Sequence, residues 1–207
     1  MRLKLADSDW LPRYAGQVGA LAKSDRALAA TFSRGAVLVP VPGSRSLSAQ
    51  VWAAERLAVA LQGVGLGDAV WLGAYRRFAV RKSATALSSD RPSVQQHYES
   101  FAVHRARSRP HKIVLIDDVI NWGLSKKEAA AAYERAGYSV EGCLVAVDYD
   151  VGARRLCAEL GFGLHNLMNL EFILGLAKEK RKLAPHIIEA TRSYMAESRR
   201  ILSQPAA

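Results

Sequence analysis

The sequence predicts an α/β fold in which a mostly parallel sheet is covered by helices. Short apolar runs rich in β-branched residues alternate along the chain with longer segments of helical periodicity. Turn or helix signals follow each apolar run, as expected where a buried strand leads into a crossover helix. The length of 207 residues fits one domain of ordinary size and does not favour a repeat array.

Four segments have the character of buried strands. They are apolar, short and bounded by turn residues, and they cover residues 36–41, the surroundings of Val70, residues 112–119 and residues 142–148. Such continuous apolar runs are typical of parallel strands that are covered on both faces. We therefore expect these segments to form the centre of the sheet.

Helical patterns occupy most of the remaining chain. Residues 47–61 and 125–136 are amphipathic, and Gly137 stands where the second helix should end. Residues up to about 33 suggest one or two helices, and residues 183–202 suggest a basic amphipathic helix. By contrast, residues 76–111 show little periodicity and predict a long mobile loop.

Composition and charge restrict the class of protein. Half of the residues are hydrophobic and 23% are charged, which excludes global disorder. No apolar stretch approaches the roughly 18–20 residues that span a bilayer, and we expect a cytoplasmic protein without a membrane partner. Cys143 and Cys157 have no metal-type spacing and are expected to be reduced packing residues. The 29 basic against 19 acidic side chains give a net charge of +10, which favours anionic partners such as nucleic acid, an acidic membrane face or a polyphosphate substrate.

The most informative segment runs from residue 113 to residue 137, where a strand ends in Asp117 and Asp118 and a short loop leads into a helix. The first amides of a helix lack internal partners and carry partial positive charge, so this turn can hold an anion. We expect a phosphate monoester to bind the loop that we call the phosphate loop, formed by Asn121, Trp122, Gly123, Leu124 and Ser125. The two acids suit ribose hydroxyls or a metal-hydrated polyphosphate. The alternative is a plain turn with a capping box formed by Ser125 and Glu128 and with both acids solvated.

This segment resembles the phosphoribosyl pyrophosphate (PRPP) signature of the type I phosphoribosyltransferases. The acid pair, the two apolar residues after it, Gly123 and Ser125 match the signature, whereas Asn121 and Trp122 replace its two threonines. The resemblance implies a central sheet with a core at about residues 35–165 and a small hood formed by residues 1–34 and 166–207. It also implies Mg²⁺ carried on the diphosphate near Asp117 and Asp118, and a homodimer.

Two further segments resemble parts of the same family. The loop after the first strand resembles the family's pyrophosphate loop, which implies that the diphosphate contacts Pro42, Gly43, Ser44 and Arg45. Arg81 and Lys82 resemble the catalytic loop that closes over the reacting centre in orotate phosphoribosyltransferases. The surrounding tract is also similar to the competence protein ComF. The alternatives are an ordinary turn at the first loop and a solvated basic segment at the second.

The segment after the fourth strand follows the layout of the orotate enzymes, with a short strand and a helix still to come. Where those enzymes place an arginine that binds the orotate ring, this chain has Tyr149, so orotate is not the expected acceptor. Tyr149 either stacks on a base or packs beneath a helix.

Together these features predict an enzyme that transfers ribose 5-phosphate from PRPP to a nucleobase or another nitrogen nucleophile and releases pyrophosphate. The alternative is a non-catalytic protein of the same fold. Such a protein would sense PRPP or a nucleotide, or would handle nucleic acid through its basic surface as ComF-like proteins do.

Overall fold

A computed structural model describes residues 10–43, 52–78, 94–104 and 112–203 of the chain. The elements follow in chain order: α1 (Trp10–Ser24), α2 (Arg26–Thr31), β1 (Ala36–Pro40), α3 (Ala53–Gly63), β2 (Ala69–Val70), β3 (Ala74–Arg76), α4 (Val94–Ser100), β4 (Phe101–Val103), β5 (Lys112–Ile120), α5 (Leu124–Arg135), β6 (Val140–Asp148), α6 (Ala153–Glu159), β7 (Gly163–Asn169), α7 (Leu170–Glu179) and α8 (Pro185–Ser203).

The centre of the fold is a five-stranded sheet in the order β2-β1-β5-β6-β7, and all of its strand pairs are parallel. This confirms the expected α/β class with a parallel sheet flanked by helices. All four predicted strands form, and β7 adds the short strand expected after them. Parallel neighbours need a crossover connection, and helices supply it on both faces.

Side-chain alternation divides the core between the two faces of the sheet. Leu115 in β5 belongs to a cluster with the buried residues of α5 and α6, whereas its neighbours Val114 and Ile116 belong to a cluster with α1, α2 and α3. Successive residues of a strand point to opposite faces, so each central strand contributes to both clusters. This explains why the sequences of the central strands are continuous apolar runs.

The prediction of one long loop over residues 76–111 is wrong in part. This region contains α4 and β4, and β4 pairs antiparallel with β3 as a two-stranded ribbon outside the main sheet. Strands of three residues show almost no period-2 pattern, and tertiary contacts hold them: the buried Arg76 lies 4.9 Å from the ring centroid of Phe101. Residues 79–93 and 105–111 lie outside the described residues.

The helix predictions agree with the structure within a few residues where it describes them. Helix α5 and the terminal helix α8 form as expected, and Gly137 adopts a left-handed φ of 82° directly after α5. Helix α3 begins at Ala53, and residues 44–51 lie outside the described residues. No helix in the described ranges is both long and apolar enough to cross a membrane.

Candidate active site

The carboxyl ends of three neighbouring strands bring the predicted site residues together at one edge of the sheet. The backbone amide of Val41, just after β1, donates to Ile116 O of β5 at 2.8 Å. The amide of Tyr149, just after β6, donates to Ile120 O at 3.0 Å. The ends of β1, β5 and β6 therefore meet where ligands of open α/β sheets bind.

Gly123 shapes the turn from β5 into α5. Its φ of 82° lies in the left-handed region, and a Cβ at this position would stand 3.1 Å from Leu156 Cδ2 of α6. Glycine alone combines this backbone conformation with so close a neighbour. Its carbonyl oxygen accepts the amides of Lys126 and Lys127 at 2.9 and 3.0 Å, and this starts the helix.

The amides at the start of α5 are available to an anion. Within the described part of the chain, no hydrogen bond engages the backbone amides of residues 122–125. The capping-box alternative is excluded because Gly123 is the N-cap and no side chain caps it. Glu128 is buried instead and pairs with Arg76 across an N···O distance of 3.4 Å. The loop thus has the free donors that phosphate binding requires.

Lys126 is a component of the site that the sequence reasoning missed. Its side chain is only 3% exposed, and its ammonium donates to Asp117 Oδ2, to Val119 O at 2.8 Å and to Ser125 Oγ at 3.2 Å. All three ammonium protons are therefore used within the chain. A signal was present: residues 126, 129, 130 and 133 share the spacing of one buried helix face, and the first of them is a lysine.

The acid pair is strongly asymmetric. Asp117 accepts Lys126 through one oxygen and the Asp118 amide, at 2.8 Å, through the other. Burial opposes the charge on Lys126, but the Asp117 carboxylate overrides it and raises the pKa of the ammonium. Burial, with the adjacent Asp117, raises the pKa of Asp118 to about 7 although Lys126 opposes the shift. Asp118 therefore changes charge near neutral pH.

The two residues that replace the family's threonines contact the terminal helices. Asn121 Nδ2 donates to the hydroxyl oxygen of Tyr194 in α8 at 2.8 Å. The ring of Trp122 packs against an apolar cluster formed by Val151, Leu174, Ile188 and Met195. The atoms Asn121 Oδ1 and Trp122 Nε1 are buried without a hydrogen-bond partner in the described structure. The loop therefore ties α8 to the edge of the sheet and keeps two unpaired polar atoms there.

Tyr149 is half-buried and packs against the cluster below the sheet edge as well as the one beside α8. Burial, with contributions from Tyr194 and Asp118, raises the pKa of its hydroxyl. The packing of the Tyr149 ring agrees with one of the two alternatives that the sequence left open. Its stacking on a base stays a prediction.

Several predicted site residues lie outside the described residues, namely Ser44, Arg45, Arg81 and Lys82. Pro42 and Gly43 are described and directly follow β1 and Val41 at the site edge. The stretch that holds Arg81 and Lys82 leaves the ribbon just after Arg76. Arg76 bonds Ser100 Oγ at 2.6 Å and pairs with Glu128 of α5, so the ribbon is anchored to the helix that begins at the phosphate loop.

The donor set does not form a cage for a divalent cation. Among the described residues, no group of three His, Cys, Asp or Glu side chains could hold a metal ion. Both Asp117 oxygens are already engaged, which leaves Asp118 as the carboxylate of the pair that can face a hydrated ion. This fits a cation that arrives on a diphosphate and keeps its waters.

Comparison with known proteins identifies the fold. No protein-family profile matches the chain. It is 31% identical over 83 residues to the orotate phosphoribosyltransferase of Staphylothermus marinus and 25% identical over 92 residues to the uridine 5'-monophosphate synthase of Bos taurus. These matches span 40% and 44% of this chain, but only 41% and 19% of the relatives.

A solved structure extends the likeness to nearly the whole chain. The orotate phosphoribosyltransferase of Francisella tularensis superposes with a TM-score of 0.51 at 15% identity, covering 92% of this chain and 77% of that one. The chain therefore has the type I phosphoribosyltransferase fold, which confirms the fold that the resemblance implied. Its relatives in sequence and structure are phosphoribosyltransferases, among them the enzymes that act on orotate.

Proposed function

We propose that the protein is a phosphoribosyltransferase that moves ribose 5-phosphate from PRPP to a nitrogen nucleophile, with a nucleobase as the acceptor. The observation that carries the proposal is the phosphate loop, whose amides at residues 122–125 are free at the start of α5 and lie beside an acid pair. The fold supports it, because in this class the carboxyl edge of the sheet is where a ligand binds.

In this proposal the loop amides and the Ser125 hydroxyl hold the 5-phosphate, and Asp118 accepts hydrogen bonds from the ribose hydroxyls. Asp117 keeps the strand end in register with the loop through Lys126. Pro42, Gly43, Ser44 and Arg45 bind the diphosphate, and Arg81 and Lys82 close over it. Mg²⁺ bound to the diphosphate supplies charge neutralisation.

We further propose that the protein is a homodimer, which sedimentation velocity tests.

The reaction exchanges one bond at the anomeric carbon for another. The bond from that carbon to the pyrophosphate oxygen breaks, and the oxygen keeps the electron pair. The lone pair of the acceptor nitrogen forms the new bond, and the nitrogen then loses its proton. Orientation and charge stabilisation account for the rate, and no covalent intermediate with the protein is needed.

Diphosphate release is the direct test. The protein is incubated with Mg²⁺, PRPP and each of a panel of nucleobases, and the expected result is base-dependent release. Asp118→Asn should lower kcat/KM by about 10²-fold, because an acceptor of ribose hydroxyls is lost. Asp68→Asn is the matched control, since Asp68 lies at the opposite edge of the sheet, where it accepts the Gly35 amide at 2.8 Å. Equal values of kcat/KM in the two variants would contradict the role proposed for Asp118.

A second candidate is a non-catalytic sensor of PRPP or a nucleotide. It is supported by the contacts of Asn121 and Trp122, whose side chains engage α8 where the family's threonines offer hydroxyl donors. In that case calorimetry would detect PRPP binding, while no base in the panel would cause release of diphosphate. A ligand signal would pass to α8 through the same contacts.

A further inference from the structure

A cleft between α7 and α8 is lined by none of the residues assigned to substrate binding in the candidate active site, although its Leu183 and Ile188 belong to the apolar cluster that Trp122 packs against. It encloses about 560 Å³, and four cationic side chains line it: Lys178, Arg181, Lys182 and Arg192. Among the described residues, Glu189 is the single acid in the lining. We refer to this feature as the cationic cleft.

Among the residues that the structure describes, three of these four cations have no bonded counter-charge. The other basic residues of the two helices pair with acids: Lys180 with Glu179, Arg199 with Asp150 and Arg200 with Glu197. Arg192 pairs with Glu171 from the wall of the cleft. In the described structure, the side chains of Lys178, Arg181 and Lys182 form no hydrogen bond or ion pair.

The local backbone gathers these three charges. Arg181 has a φ of 50°, a left-handed conformation that is uncommon for a residue with a side chain. The turn brings the Lys182 amide back to Ala177 O at 2.9 Å, so that residues 178–182 curl over the end of α7. With the Arg181 amide bonded to Lys178 O, this is a Schellman-type helix end, and it places three cations on one turn of chain.

The floor of the cleft is apolar. It contains Leu183, Pro185 and Ile188, and Ile188 is only 3% exposed. A volume of 560 Å³ lies within the range of roughly 300–1,000 Å³ that small-molecule sites occupy. A groove for single-stranded nucleic acid would combine charge with aromatic stacking platforms, and none of the described residues that line this cleft is aromatic.

We propose that the cationic cleft binds a mononucleotide. The phosphate lies against Lys178, Arg181 and Lys182, the ring covers Leu183 and Ile188, and Glu189 accepts a ribose hydroxyl. This site goes beyond the proposed phosphoribosyl transfer and uses none of its residues.

Calorimetry with AMP, GMP, CMP and UMP tests the proposal, with inorganic pyrophosphate and adenosine as probes of the charge and the ring alone. A mononucleotide should bind more tightly than either partial probe. Lys182→Glu should weaken this binding about tenfold, the loss expected for a charge-assisted contact that becomes repulsive. Lys180→Glu is the matched control, since it makes the same charge change in the same segment outside the cleft.

Four results would overturn the proposal. The first is the absence of binding by every mononucleotide at millimolar concentration, and the second is equal weakening of binding by the two substitutions. The third is an affinity for pyrophosphate as high as for the best mononucleotide. The fourth is tighter binding of a dodecamer of thymidylate, with equal sensitivity to both substitutions. The first would leave the three cations as solvated charge, the second would place the binding outside the cleft, and the third would identify an anion site without recognition of the ring. The last would identify a polyanion surface. None of these results depends on diphosphate release, so the outcome for the cleft and the outcome for the transferase proposal are read separately.

Discussion

At the scale of single residues, the buried ion pair between Lys126 and Asp117 is the feature on which the site depends. Removing an ammonium from water costs several kcal/mol unless its protons find acceptors, and here each proton does. The next residue in sequence, Lys127, is exposed. Two adjacent lysines thus have opposite environments, and only the helical spacing of residues 126, 129, 130 and 133 distinguishes them in the sequence.

Lys126→Met should lower the free energy of unfolding by about 3–5 kcal/mol, because the Asp117 carboxylate, whose side chain is only 15% exposed, loses its partner. Lys127→Met, the matched control, should change it by less than about 0.5 kcal/mol. Urea unfolding followed by circular dichroism measures both. The double variant Lys126→Met with Asp117→Asn should recover part of the loss, since neither charge then remains buried. Equal effects of the two single substitutions would contradict the pairing.

The raised pKa of Asp118 makes a second prediction, on the pH dependence of stability. An acid whose pKa is higher in the folded state than in the unfolded state binds more protons when folded, so its contribution to stability is lost as pH rises from about 4 to about 7. Relative to the wild type, Asp118→Asn should therefore gain about 2–4 kcal/mol across this window. Urea unfolding at a series of pH values measures the difference, and a difference that does not change with pH would contradict the shift.

At the scale of elements, the contact between α8 and the phosphate loop shows what sequence reasoning can reach. Helix α8 and the loop were each predicted from local patterns, the helix from its periodicity and the loop from its order of strand, acids, glycine and helix. Their contact was not, because Tyr194 lies 73 residues from Asn121 and no local pattern joins them. The same limit applies to Lys126, whose partner Asp117 lies across a turn, and to the β3–β4 ribbon, which depends on Arg76 meeting Glu128.

Tyr194→Phe tests the link between these two elements. It removes the hydroxyl that accepts the Asn121 amide and keeps the ring, so the expected loss of stability is about 1 kcal/mol. Because Asn121 belongs to the phosphate loop, Tyr194→Phe should also change the KM for PRPP several-fold. The control is Tyr98→Phe, whose ring lies under Arg135, and it should leave the KM for PRPP unaltered. A KM unchanged in both variants, measured by diphosphate release or by calorimetry, would show that the helix does not influence the loop.

At the scale of the whole molecule, the sheet joins two hydrophobic clusters into one core. The clusters lie on opposite faces, one with α5 and α6 and the other with α1, α2 and α3, and β1, β5 and β6 contribute to both. Continuous apolar strands predicted this arrangement from sequence, because a strand that is covered on both faces has no polar side. The placement of the terminal helices could not be predicted in the same way, since the periodicity of a terminal helix does not specify which surface it covers.

Two adjacent residues of β5 test whether the faces unfold together. Leu115 faces the α5 cluster and Ile116 the α1 cluster, and both are fully buried. Leu115→Ala and Ile116→Ala should each cost about 2–5 kcal/mol, since each leaves a cavity in a close-packed core. Because both clusters share the central strands, circular dichroism and tryptophan fluorescence should report one coincident urea transition in each variant, with the m-value of the wild type. Separate transitions in either variant would mean that one layer of helices can detach while the sheet and the opposite layer stay folded.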